Sequence, residues 1–208
     1  MAYNLDLNCL TVQTYKDLLK GANLLPGRRI LWQDIDENFT AIESSGNNTV
    51  WQLKKALSSP AKLAAFAATT GISTDYLTIL KREIGSLEQK PVALIDFPDV
   101  DAALISRLNR TRIKTSKDYF ESNPPEKDEL YALCDLVRIN GVGAVAARTF
   151  FEAGFKSVAD VATADAGKMV ENVSAVNREK QYYKVNLGLK DMQFCIDFAR
   201  LLMRFCAR

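Results

Sequence analysis

The chain has 208 residues and a net charge of only +2, which excludes a histone-like, strongly electrostatic nucleic-acid binder. Apolar residues make up 48% and charged residues 25%, which excludes wholesale disorder and suffices for one large domain or two small ones. Histidine is absent, which removes the commonest general base and zinc ligand and lowers the expectation of catalysis.

The charge is uneven. Residues 177–208 carry seven basic and three acidic side chains, leaving the first 176 at −2. Cys9, Cys134, Cys195 and Cys206 form no C-x-x-C pair and read as reduced, buried thiols. No stretch approaches ~18 uninterrupted apolar residues, so no membrane partner is expected. Residues 1–7 show no basic segment leading into an apolar run, so the expected location is cytoplasmic.

Helical signals dominate in chain order. Tyr15, Leu18, Leu19 and Ala22 recur at helical spacing before Leu25-Pro26-Gly27. Asp34-Ile35-Asp36-Glu37 has the spacing of a capping box, with Asp34 as N-cap. Ser59-Pro60 starts a further helix that Gly71 ends, and Ser73 caps the next. Glu88-Gln89-Lys90-Pro91 and Ser122-Asn123-Pro124-Pro125-Glu126 read as linkers. The expected division is an N-terminal helical region over 1–91, holding a degenerate first unit, and a second region over 92–208.

Three segments place Ser or Thr three residues before Gln or Asp, which is capping-box spacing: Thr49 to Gln52, Thr115 to Asp118 and Ser157 to Asp160. A short helix precedes each. Gly46 and Gly154 stand three residues before their caps, where a helix end needs positive φ, while Arg112 takes that place in the middle segment. A helix, a tight turn and a capped helix repeated three times predict an all-α fold of tandem divergent units packed as a helical bundle.

The sharpest motif is Ile139-Asn140-Gly141-Val142-Gly143-Ala144. Two glycines bracketing one apolar residue let the backbone reverse between helices, with Val142 plugging the interface. Gly143 leaves the next helix's first amides open, and such an end can hold a phosphate. Arg148 lies one turn further on. The pattern resembles the helix-hairpin-helix motif of DNA-binding and DNA-repair proteins. The longer stretch from Asp135 to Val158, with Thr70-Gly71-Ile72-Ser73 and Leu187-Gly188-Leu189, is similar to a bacterial family of unknown function carrying that motif. The resemblance spans roughly residues 60–205. It implies sequence-independent contact with DNA phosphates, and the family has no assigned activity to carry over. With no histidine, metal cluster or catalytic carboxylate to spare, the expectation is a non-enzymatic module.

This chain departs from the motif by placing Ala144 and Val145, not basic or hydroxyl residues, after the second glycine. The middle segment, Phe97-Pro98-Asp99-Val100-Asp101, puts acids at its hairpin. A second phosphate candidate is the basic run Arg107, Arg110, Arg112, Lys114 and Lys117, which contains no acid. The expected nucleic-acid site is therefore Asn140, Gly141, Val142, Gly143, Ala144 and Arg148, with Arg107, Arg110, Arg112 and Lys114. The alternative is a protein-interaction or scaffold module. The helix from about Leu189 to Cys206, apolar on most of its circumference, is read as a core helix or a homodimer contact. No metal cluster or cofactor motif is visible. Asp160, the one carboxylate placed as in helix-hairpin-helix glycosylases, is already spoken for as the partner of Ser157.

Overall fold

The computed structural model describes residues 2–184 and 187–206. Among them the fold is all-α, with three isolated antiparallel bridges in place of any strand. None of its helices is long and apolar enough to cross a membrane. The chain forms two compact units, Asp6–Glu88 and Met1–Leu5 with Gln89–Arg208. Residues 1–5, expected in the N-terminal region, thus belong to the second unit.

In the Asp6–Glu88 unit, α1 (Val12–Gly21), α2 (Ile35–Ser44), α3 (Val50–Ala56), α4 (Pro60–Thr70) and α5 (Thr74–Gly85) enclose a core that includes Tyr15, Leu31, Phe39, Leu53 and Leu77. Thr49, Ser59 and Ser73 cap their helices as their sequence spacing requires, and Gly71 ends α4 at φ +74°. Asp34 does not. It sits at φ +46° and its side chain caps nothing, so the expected capping box at 34–37 is absent. Asp36 turns instead to Lys20 and Lys16, at 2.7 and 3.1 Å.

The second unit contains α6 (Ala102–Arg110), α7 (Ser116–Glu121), α8 (Glu129–Leu136), α9 (Ala144–Glu152), α10 (Val158–Thr163), α11 (Ala166–Lys180) and α12 (Leu189–Phe205). Consecutive helices α7, α8 and α9 pack side by side, and α12 lies on α10 and α11. One face of α12 is core, through Met192, Cys195, Ile196, Phe198, Ala199 and Leu202. Leu189, Phe194 and Met203 are exposed, so less of its circumference is buried than its composition suggests. The narrow polar stripe expected on this helix is Asp197, Arg200, Arg204 and Arg208, of which Arg208 lies outside the described residues.

Backbone landmarks recur 42 residues apart within this unit. Asp99 and Gly141 are left-handed, at φ +58° and +83°, and Asp101 and Gly143 are the N-caps of nine-residue helices. Arg112 and Gly154 are left-handed again, at +66° and +95°, and Thr115 and Ser157 cap the following helices. The amides just before those caps, on Lys114 and Lys156, donate to Asp118 and Asp160 at 3.1 and 2.9 Å. The first unit shares the later landmarks: Gly46 at +86°, Thr49 as cap, and the Asn48 amide on Gln52 at 2.8 Å.

One difference is instructive. Thr49 bridges to Thr11 and Thr115 to Ala93, through backbone bonds such as Ser116 N–H to Val92 O at 2.7 Å. At the third position the Val158 amide donates to the side chain of Asp135, also at 2.7 Å. The other carboxylate oxygen of Asp135 holds the buried Arg138. Arg138 also donates to Tyr3 O at 2.8 Å, contacts Cys206 Sγ at 3.0 Å and stacks 4.2 Å from the Phe120 ring. A single buried guanidinium therefore joins residues from both ends of the chain.

Candidate nucleic-acid interface

The Gly141–Gly143 hairpin joins α8 to α9. Gly141 needs its glycine, because φ is +83°. Val142 is buried as the plug, and its amide closes the turn on Ile139 O at 3.0 Å. Gly143 has an ordinary extended φ and open space where a Cβ would be. It provides no side-chain cap, and the amides of Ala144, Val145 and Ala146 find no acceptor among the described residues. At the matching place in α6, the Asp101 carboxylate accepts from Ala103 N–H at 2.8 Å. The α6 end is therefore self-filled and the α9 end is open. Asn140 flanks the hairpin, half-buried.

The open end faces a concavity of about 530 Å³ whose lining includes Val92, Asp96, Val145, Tyr183 and Leu187. Most of that lining is apolar, and Asp96 is its one acidic residue. At the other end of α9, the Tyr182 hydroxyl lies 2.7 Å from Glu152 and 3.1 Å from Asp99. Desolvation, followed by those two carboxylates, pushes its pKa up. Burial also raises that of Tyr183.

Arg148 requires a correction. It is 3% exposed, with Nε and one terminal nitrogen on Pro98 O at 3.1 and 2.8 Å and the other on Glu129 at 2.7 Å. It staples α9 to the preceding hairpin and to the first turn of α8. A guanidinium spent in this way is withdrawn from phosphate contact. The anchoring carbonyl lies 50 residues upstream, so the local pattern carried no sign of it.

The basic run behaves otherwise. Arg107, Arg110, Arg112, Lys114 and Lys117 are all exposed, and none forms an ion pair among the described residues. They occupy the last turns of α6, the left-handed turn at Arg112 and the first turn of α7. Asp118, the acid within reach of the turn, is committed to α7. Burial raises its pKa, but the Lys114 amide and Thr115 outweigh that and hold it below the ordinary carboxylate value. The bridge pairs Val92–Leu94 with Lys114–Ser116, while Val92 also lines the concavity, so one short segment links the two candidate surfaces.

Sequence reasoning missed Asp96 and Tyr183, which line the concavity at the α9 end only through tertiary packing. It also took all four cysteines as buried. Cys134 and Cys195 are, Cys206 is partly exposed, and Cys9 is exposed; all four are free thiols.

A family described as Domain of unknown function (DUF7898) matches residues 131–193, the stretch from α8 into α12. No curated protein and no solved structure matches the chain. Over those residues the chain is similar to a family whose function is itself unassigned.

Proposed function

We propose that the Gln89–Arg208 unit contacts the phosphate backbone of duplex nucleic acid, without reading sequence, through the basic turn between α6 and α7. The observation that carries this reading is Arg112. A left-handed backbone costs an L-residue roughly 1–2 kcal/mol, and glycine takes the matching place at 46 and 154. The arginine there is exposed and has no carboxylate partner among the described residues, which leaves its guanidinium free for a phosphate. Lys117 adds to the case, because a cation in the first turn of α7 opposes the helix dipole. Arg107 and Arg110 complement the α6 C-terminus and would by themselves need no further explanation.

The 42-residue recurrence supports reading 93–121 and 135–163 as two divergent copies of a helix-hairpin-helix unit, the motif that 139–144 resembles. In this reading the copies divide the work. The first carries the cations, and the second keeps an open hairpin whose surroundings, apolar and acidic, disfavour phosphate. No aromatic ring interleaves with the basic turn, which favours duplex backbone over stacked single strands. The reading is non-enzymatic and cytoplasmic: Asp160 spends its carboxylate on the Lys156 amide, and the thiols are free.

Fluorescence anisotropy of a labelled duplex tests this. Five phosphate contacts predict a loss of roughly 10²–10³-fold in affinity between about 50 and 200 mM salt. Absence of binding at the lower salt refutes the proposal.

A further inference from the structure

We infer that Tyr3 is a positioning residue for the basic turn: it clamps α7 at both ends and so fixes Lys114 and Lys117 relative to the α6 cations. This role rests on the phosphate reading of that turn. One residue breaks the recurrence described above. The position after the cap of α3, α7 and α10 is Val50, Ser116 and Val158, buried at 0, 0 and 2% exposure. Valine is the apolar choice for such a place. The segment that carries the cations puts a hydroxyl there instead, and burial penalises a hydroxyl unless it is hydrogen-bonded.

Ser116 is satisfied twice. Its Oγ accepts the Val92 amide at 2.9 Å and pairs with the Tyr3 hydroxyl at 2.7 Å. Tyr3 also reaches the far end of the helix, donating its own amide to Glu121 Oε1 at 3.1 Å. Ser116 and Glu121 are the first and last residues of α7, so one residue spans a helix too short to be stable by itself. Tyr3 is fixed in turn. Arg138 Nε donates to its carbonyl at 2.8 Å, and its ring meets Phe120 edge-on, with centroids 6.0 Å apart. It is 1% exposed. The Leu94 amide on Lys114 O, at 2.9 Å, carries the same anchorage into the turn. Cations held at fixed separations meet several phosphates at once without first having to be ordered, which is where the clamp adds affinity.

Anisotropy of the labelled duplex over a salt series, with the full chain and its variants, tests this. Tyr3→Phe keeps the ring on Phe120 and removes only the hydroxyl. Tyr76→Phe is the control for lost stability: it removes another buried hydroxyl, the donor to Leu31 O at 3.1 Å, from the Asp6–Glu88 unit. Circular dichroism checks that each variant is folded at the assay temperature. Tyr3→Phe is expected to bind about three- to tenfold more weakly, with a salt slope lower by roughly 0.9–1.8, the loss of one or two phosphate contacts. Tyr76→Phe keeps the native affinity and slope. Ser116→Ala cuts the same link from the other side, lowers the slope as Tyr3→Phe does, and adds nothing when combined with it; should Tyr3→Phe not fold, Ser116→Ala gives the answer alone. A native slope in folded Tyr3→Phe or Ser116→Ala, or an equal loss in Tyr76→Phe, overturns the positioning role and leaves the phosphate reading standing. A native chain that binds no duplex at about 50 mM salt overturns the phosphate reading, and this role with it.

Discussion

Replacing Arg112 by glycine is expected to stabilise the protein and weaken its binding at once. Arg112 holds φ at +66°, where glycine pays no Cβ penalty. Relief of about 1–2 kcal/mol is offset by about 0.5–1 kcal/mol for the freer unfolded chain, leaving a net gain of about 0.5–1 kcal/mol. For a chain of this size that raises Tm by roughly 1–4 °C. Among the described residues the side chain makes no hydrogen bond or ion pair whose loss would offset the gain. The same substitution removes one phosphate contact, so the slope of log affinity against log salt falls by about 0.9 and affinity drops uniformly across duplex sequences. Thermal unfolding at 222 nm and anisotropy over a salt series measure the two arms. A destabilised variant would show that Arg112 stabilises the turn after all. A stabilised variant with an unchanged salt slope would place the phosphates elsewhere.

Arg138→Ala strands Asp135 in the core and uncovers Phe120, so denaturant unfolding should show a loss of about 3–5 kcal/mol; a loss under about 1 kcal/mol would mean the cluster is replaceable. Alkaline pH should unfold the chain through its buried phenols. Desolvation raises the pKa of Tyr3 and Tyr76 to about 12, and that of Tyr15 well above its ordinary value. Because the folded values are raised, their contribution is complete below about pH 10 and is lost as pH climbs toward 12. Phenolate absorbance should therefore rise together with loss of helix, and phenolate formation with helices intact would refute this. In native protein, iodoacetamide should label exposed Cys9 while sparing Cys134 and Cys195, whose thiols burial pushes up; mass spectrometry reads the sites, and rapid labelling of Cys134 would contradict the packing.

Capping was legible because it is local. Thr49, Ser59, Ser73, Thr115 and Ser157 each bond an amide three residues away, so spacing alone locates them. Asp34 has the same spacing but a left-handed backbone, which a pattern of residue types does not encode. Arg112 illustrates the converse. Its backbone matches Gly46 and Gly154 although its side chain argues against the match, since neighbouring bonds such as Ile113 N–H to Leu108 O at 3.1 Å impose the turn. Arg148 and Asp96 were misread or missed for a further reason. Their roles depend on Pro98 and on the α9 end, which chain separation hides from any local window.

The most direct measurement compares two variants on one labelled duplex at low salt: Arg107→Gln/Arg110→Gln/Lys114→Gln and Gly143→Asp. The account predicts that the triple variant loses most of its affinity and about 3 units of salt slope, whereas Gly143→Asp stays within about twofold of the native chain. Loss of binding in a folded Gly143→Asp variant, with the triple variant unaffected, would contradict it and return the phosphates to the hairpin.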